Sequence, residues 1–82
     1  MKINLARKAR QQLSKLPHNE QKKAVRKLRL LEPAPFLGKA LAGELSGIYS
    51  LKAWPYRILY MVDKKKKRIV VIAIQHRQGA YG

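Results

Sequence analysis

The sequence contains no cysteine, only two histidines and four acidic residues, and no long apolar run. Without cysteine, the chain can form neither a disulfide framework nor a thiolate metal site. The few histidines and carboxylates show no HExxH-like spacing, so we expect no metal and no other cofactor. No segment reaches the roughly 18 apolar residues that a membrane-spanning helix requires, and the N-terminus lacks the apolar core of a signal peptide. We therefore expect a cytoplasmic protein without a membrane segment.

The dominant feature of what is present is positive charge. Nineteen lysines and arginines against four acidic residues give a formal net charge of +15. Such an excess attracts polyanions over long distances, and nucleic acids gain affinity for it by releasing counterions. Nucleic acid is therefore the first expected partner, with an anionic membrane surface or an acidic protein as alternatives. The 82 residues suffice for one domain, which is predicted to span residues 1–82.

The first half of the chain has a helical pattern. Residues 2–5 suit a brief edge strand, after which apolar residues at spacings of three and four predict helices over residues 6–16 and 19–32. Pro17 separates the helices, because a proline disfavours helical geometry in the residue before it. Asn19 is the predicted N-cap of the second helix. Two amphipathic helices joined in this way form a helical hairpin, which needs a further layer to cover its apolar faces.

The second half of the chain has a strand pattern. Residues 33–43 predict a connecting loop that is anchored in the core by three apolar side chains, Phe36, Leu37 and Leu41. Period-two alternation and then a nearly continuous aliphatic run predict three strands, over residues 45–52, 56–62 and 69–74. The turns between these strands lie at Trp54-Pro55 and at the basic residues 64–68. The order β-α-α-β-β-β predicts an α+β domain, with an antiparallel-dominated twisted sheet and a helical hairpin packed on one face.

Several cations and one phenol are predicted to converge at one end of the sheet. Alternation along the first of these three strands turns Lys52 to the open face if the apolar residues face the helices. A tight turn brings Arg57 close to it, Arg77 follows the last strand, and Tyr81 lies four residues further along the chain. The set contains no carboxylate and suits a phosphate, to which arginine offers a planar fork and lysine a compact charge.

Aromatic residues accompany these cations. Trp54, Tyr56 or Tyr81 could stack on an unpaired base, the usual way in which proteins bind single-stranded RNA. The alternative is a structural role, in which Tyr56 belongs to the core or its rim and Trp54 braces the turn beside Pro55. From the residues alone, nucleic-acid binding is favoured over catalysis, and both stay open.

Two stretches resemble one known family. GIYSLKAWPYRILYMVD, followed after a short loop by IVVIAIQHRQGAY, resembles the RelE/ParE superfamily of toxin-antitoxin toxins. The shared pattern is G-x-Y-x-L-(K/R), a turn, Y-R-(I/L)-x-Y, a hydrophobic strand, H-R and a tyrosine near the terminus. The first strand and the helical hairpin match in order and length, so the resemblance covers essentially the whole chain and implies a RelE-like fold.

The superfamily has two functional branches. RelE-like members are ribosome-dependent mRNA endonucleases, whereas ParE-like members inhibit DNA gyrase and lack the basic residues and tyrosine of the nuclease. Lys52, Arg57, Arg77 and Tyr81 fall where the nuclease branch has functional residues, so the resemblance implies the endonuclease. Ser50 departs from the pattern, because some nucleases have a second basic residue there. The alternatives are a gyrase inhibitor of the ParE type and a catalytically weak RNA-binding relative.

The resemblance implies a metal-free reaction, in which a ribose 2′-hydroxyl attacks the adjacent phosphate of mRNA in the ribosomal A site. Arg57 and Arg77 would stabilise the charge that grows on the phosphoryl oxygens, and Tyr81 would orient the nucleotide or transfer a proton. Lys52 would act as the general base if the surrounding cations keep its amine neutral. His76 is the alternative, because histidine exchanges protons near neutral pH.

The resemblance also implies two partners. A cognate antitoxin, typically more acidic than the toxin, would cover or distort the site. The ribosome would hold the toxin through contacts of ribosomal RNA with basic residues of the second helix, for which the candidates are Lys22, Lys23 and Arg26.

Overall fold

The computed structural model describes residues 1–76. Its elements are the strand β1 (Lys2–Leu5), the helices α1 (Arg7–Ser14) and α2 (His18–Leu31), and the strands β2 (Lys39–Ala40), β3 (Tyr49–Ala53), β4 (Tyr56–Asp63) and β5 (Arg68–His76). The α+β class and the predicted order of the helices and the four longer strands are confirmed, and the single domain over residues 1–82 stays a prediction. Within residues 1–76, neither α-helix has the length and apolar character that crossing a membrane requires.

The five strands form one sheet in the order β1-β5-β4-β3-β2. β1 is an edge strand, as predicted, and pairs with β5 in parallel, while the other three pairings are antiparallel. The prediction of an antiparallel-dominated sheet is thus confirmed.

Two details around β2 and β3 differ from the prediction. β2 lies inside the segment predicted as a loop, and its two residues are too few to show a period-two pattern. The strand predicted from Leu45 starts later, because Leu45 ends a short 3₁₀ helix, Gly43–Leu45. Gly47, with a φ of 92°, then turns the chain before the extended segment starts at Tyr49. Both predictions are therefore wrong at these positions.

The junction between the helices also differs from the prediction. α2 begins directly after Pro17, which is its N-cap, so Asn19 lies inside the first turn and the predicted Asn19 cap is wrong. The carbonyl of Pro17 accepts a 2.9 Å hydrogen bond from the N–H of Gln21. The side chain of Gln21 in turn donates to the carbonyls of Ser14 (3.2 Å) and Leu16 (3.0 Å), which holds the end of α1 against the start of α2.

The core lies between the helices and one face of the sheet. Its largest fully buried side chains are Tyr60, Leu31, Ile58, Ile69 and Val71. The register of β4 and β5 shifts between Leu59 and Tyr60, and such a bulge changes the phase of side-chain alternation along the bulged strand.

A side chain of α1 supports β5 just beyond this bulge. The Oε1 atom of Gln12 accepts a 2.7 Å hydrogen bond from the backbone N–H of Ile74. This bond joins residues 62 positions apart in the sequence, so it ties the first helix to the last strand.

Replacing Gln12 with leucine is expected to lower the free energy of unfolding by about 1–2 kcal/mol, because the part-buried N–H of Ile74 loses this acceptor. Chemical denaturation measures the change. Gln11→Leu is the matched control, since Gln11 is exposed on the same helix. An equal loss in both variants would show that leucine itself, and not the lost hydrogen bond, destabilises α1.

The segment between α2 and β2 contacts the core through a glycine. Phe36 and Leu37 are 48% and 52% exposed, so the prediction that they anchor the loop in the core is wrong, whereas Leu41 is half-buried. The N–H of Gly38 instead donates a 2.9 Å hydrogen bond to the hydroxyl of Tyr60. Burial raises the pKa of the Tyr60 hydroxyl, although the hydrogen bond from Gly38 acts in the opposite direction.

Candidate functional site

Lys52 and Arg57 lie directly opposite each other on the β3–β4 hairpin. The turn between them is Trp54-Pro55, whose peptide bond is cis. Residues paired across antiparallel strands share a face, with Cβ atoms roughly 5 Å apart. Their neighbours Leu51 and Ile58 are buried in the helix-covered core, so Lys52 and Arg57 lie on the open face of the sheet.

A groove beside this pair gathers four cations. Lys52 and Arg57 line it together with Lys39 of β2 and Lys27 of α2, and none of its described lining residues is acidic. Ser50 also lines the groove, is 8% exposed, and is paired with Lys39. Lys39 thus brings an amine next to the position where the sequence has a serine. Four cations without a carboxylate can bind a phosphodiester and stabilise additional negative charge on it.

Two of these four cations could not be predicted from the sequence. Lys39 falls in a segment predicted as a loop, and Lys27 is one of several exposed lysines on its helix. Only the pairing of β2 with β3 shows that Lys39 lies beside Ser50, and the sequence contains no local signal for it.

His76 and Tyr56 form a separate pair. They are opposite residues of β5 and β4, and their rings make an edge-to-face contact with centroids 5.5 Å apart. Their neighbours Gln75 and Arg57 are also paired and face the other side of the sheet. The structure therefore places His76 and Tyr56 together on the face away from Lys52, and Tyr56 packs partly against the core.

Trp54 and Lys23 line a second groove, between α2 and the β3–β4 turn. The Nζ of Lys23 donates a 3.4 Å hydrogen bond to the carbonyl of Trp54 and lies 3.9 Å from the carboxylate of Glu20. Lys22 lies in a separate depression on another side of α2, and Arg26 borders both surfaces. The three helical cations predicted to bind RNA are thus divided between two surfaces.

The predicted site residues Arg77 and Tyr81 lie outside the described residues, so their convergence with Lys52 and Arg57 stays a prediction. Within residues 1–76, no three histidine or acidic side chains are grouped closely enough to hold a metal ion.

Comparison with known proteins identifies a family over nearly the whole chain. Residues 3–81 match the family described as the ParE toxin of type II toxin-antitoxin system, parDE. The chain is 36% identical over 45 residues to the toxin RelG of Mycobacterium tuberculosis. That stretch covers 55% of this chain and 52% of RelG, so the chain spans about half the length of this curated relative.

Two solved structures show the same fold. The RelBE2 toxin-antitoxin complex of Mycobacterium tuberculosis contains a chain with 32% identity and a TM-score of 0.81, over 93% of this chain and 96% of that one. The isolated RelE toxin of E. coli has a TM-score of 0.79 at 19% identity, over 92% of this chain and 82% of that one. At this lower identity, the likeness to the E. coli protein shows the fold alone. The predicted RelE-like architecture is therefore confirmed.

Proposed function

The chain belongs to the RelE/ParE superfamily of toxins from type II toxin-antitoxin systems, and we propose that it is a ribosome-dependent endoribonuclease that cleaves mRNA in the A site. The observation that carries the proposal is the pairing of Lys52 with Arg57 in a groove lined by four cations, with no acid among its described lining residues. Such a groove attracts RNA by its charge and provides the hydrogen-bond donors that a phosphodiester requires.

In the proposed reaction, the ribose 2′-hydroxyl attacks the adjacent phosphorus, and the bond from phosphorus to the 5′-oxygen breaks. The products are a 2′,3′-cyclic phosphate and a 5′-hydroxyl end. Addition of one water molecule to the cyclic phosphate breaks its bond from phosphorus to the 2′-oxygen and gives a 3′-phosphate. One proton leaves the 2′-oxygen and one proton is delivered to the 5′-oxygen. The negative charge that grows on the phosphoryl oxygens is what the cations of the groove would stabilise.

We assign charge stabilisation to Arg57, because a guanidinium can donate two parallel hydrogen bonds to a phosphate. Lys52 and Lys39 supply the amines for proton transfer, since both line the groove. Arg77 and Tyr81 are proposed to complete the site, as a second charge stabiliser and as the group that orients the nucleotide.

His76 is the alternative residue for proton transfer. It is paired with Tyr56, and Arg57 lies on the other face of the sheet. This placement favours the two lysines over His76 as the general base.

A cognate antitoxin and the ribosome are the proposed partners. The Mycobacterium tuberculosis relative was solved as a toxin-antitoxin complex, and a net charge of +15 suits a more acidic partner. Ribosomal RNA would contact the exposed cations of α2, among them Lys22, Lys23 and Arg26. The protein would therefore act in the cytoplasm.

Mapping mRNA ends by primer extension in a purified translation system tests the proposal. We expect new ends within codons when the protein, ribosomes and mRNA are combined, and none when ribosomes are omitted, because the A site is needed to present the mRNA. Cleavage of free mRNA at the same positions and rate would contradict ribosome dependence.

Inhibition of DNA gyrase is the second candidate function, because the matching family is described as the ParE toxin. Supercoiling and relaxation assays with purified gyrase separate the two functions. Gyrase activity should be unchanged at protein concentrations that cleave mRNA on ribosomes. Binding of RNA without cleavage would instead identify a catalytically weak relative.

A further inference from the structure

The groove between α2 and the β3–β4 turn combines apolar side chains with cations. Trp54 and Leu30 both line it and are 64% and 47% exposed. Lys23, Arg26 and Lys27 line it as well. They follow Lys23 or precede Leu30 by three, four or seven positions, and residues at these spacings share one face of a helix. None of the described residues that line this groove is acidic.

The turn that carries Trp54 is tied to the helix that carries the cations. The hydrogen bond from Lys23 to the Trp54 carbonyl joins α2 to the hairpin turn. One surface therefore contains the indole, the side chain of Leu30 and the three groove cations, Lys23, Arg26 and Lys27. This surface is built from two elements that are distant in the sequence.

This groove adjoins the groove of the Lys52–Arg57 pair, because Lys27 and Lys52 line both. A nucleic-acid strand that lies along the two grooves would pass over Lys52. It would place one phosphate between Lys52 and Arg57 and a neighbouring nucleotide over Trp54.

We propose that the Trp54–Leu30 groove is a nucleotide subsite. The base of an unpaired RNA nucleotide stacks on the indole of Trp54 beside Leu30. The three groove cations bind the phosphate of the same nucleotide. The inference rests on the proposed function in taking RNA as the ligand. A flat, exposed indole beside several cations favours a nucleotide over an acidic peptide, because the nucleotide offers both a base that can stack and a phosphate. Every base has a face that can stack, so the subsite tolerates different sequences.

Trp54 is the sole tryptophan of the sequence, so its fluorescence reports directly on this groove. The probe is a single-stranded RNA of about ten nucleotides with 2′-O-methyl riboses, which has no 2′-hydroxyl to attack the phosphate. We expect the probe to quench the emission of Trp54. Trp54→Ala should weaken binding of a fluorescein-labelled probe about tenfold, and Trp54→Phe should restore most of the affinity because it keeps an aromatic face.

A pair of leucine variants provides a matched control. Leu30→Glu places a negative charge inside the groove, and Leu45→Glu adds the same charge at an exposed leucine that lines neither groove. Leu30→Glu should remove most of the quenching and weaken binding at least as much as Trp54→Ala. Leu45→Glu should keep the quenching. Thermal melting of all variants checks that they are folded.

Ribosomes distinguish the two possible sources of the nucleotide. A loss of affinity in Trp54→Ala for ribosomes that carry no mRNA assigns the nucleotide to ribosomal RNA. A loss confined to the free probe and to ribosomes with mRNA in the A site assigns it to mRNA.

Unchanged RNA affinity in both Trp54→Ala and Leu30→Glu would overturn the nucleotide subsite. This holds even if the two variants bind an acidic peptide less well than the wild type does. The proposed function can fail separately. If the wild-type protein shows the quenching but cleaves no mRNA on ribosomes, the endonuclease is rejected and the subsite stands.

Discussion

Arg57→Ala is expected to lower the rate of ribosome-dependent mRNA cleavage by about 100- to 1,000-fold, the loss typical of removing one donor to a charged transition state. Arg57 lies opposite Lys52 in the four-cation groove, where its guanidinium can contact two phosphoryl oxygens at once. Single-turnover cleavage on ribosomes measures the effect, because it separates chemistry from product release. The melting temperature should change little, since Arg57 is not part of the buried core.

Two further variants make this result specific. Arg57→Lys keeps the charge but loses the planar fork, so its rate should fall between those of the wild type and Arg57→Ala. Arg68→Ala is the matched control, because Arg68 is also a half-buried arginine of the sheet but is paired with Asp63 outside the groove. Arg68→Ala should cleave at the wild-type rate, and an equal loss in both alanine variants would assign the effect to total charge rather than to the site.

The same assay separates the candidates for proton transfer. Lys52→Ala and Lys39→Ala should both slow cleavage, because both amines line the groove. His76→Ala should keep most of the rate, since the histidine lies with Tyr56 on the other face of the sheet. A larger loss in His76→Ala than in either lysine variant would assign the general base to the histidine.

The pairing of Lys52 with Arg57 could be predicted from the sequence because it depends on local features. Strand alternation and a tight Trp54-Pro55 turn leave few possible registers for the hairpin, and in the structure the two residues are direct partners. The helices were predictable for a similar reason, since apolar spacing and prolines mark them within a few residues.

The face on which His76 lies could not be predicted, because a bulge changes the phase of β5. In a regular strand, side chains alternate between the two faces, so the buried residues Ile69 and Val71 would place Gln75 on the core face. The register shift between β4 and β5 instead places His76 on the face of Tyr56 and Gln75 on the face of Arg57. A nearly continuous aliphatic run contains no polar residue that would mark such a shift.

The position of Lys39 beside Ser50 could not be predicted for a different reason. A two-residue strand has no period, so only its partner strand identifies it. Apolar residues in the preceding segment suggested anchors in the core, but Phe36 and Leu37 are about half exposed. Gly38 occupies the position next to Tyr60 instead, where any Cβ would force a neighbouring atom to shift.

Gly38→Ala is therefore expected to lower the free energy of unfolding by about 2 kcal/mol, and the melting temperature by roughly 10 °C. A Cβ at this position would lie 2.8 Å from the hydroxyl of Tyr60 and 3.0 Å from the backbone oxygen of Ser50. Tyr60 is fully buried and Ser50 belongs to β3, so neither atom can move away without disturbing the sheet. Cleavage should slow as well, because Gly38 and Lys39 line the same groove.

A double-mutant cycle with Tyr60→Phe tests the cause of this loss. Tyr60→Phe alone removes the acceptor of the 2.9 Å hydrogen bond from Gly38 and should lower the free energy of unfolding by about 1–2 kcal/mol. In the double variant the absent hydroxyl makes room for the added methyl group, so the total loss should fall short of the sum of the single losses by about 1 kcal/mol. Additive losses, measured by chemical denaturation, would place the clash at Ser50 and the tyrosine ring instead. A Gly38→Ala variant as stable as the wild type would show that β2 can shift away from Tyr60 without breaking its pairing with β3.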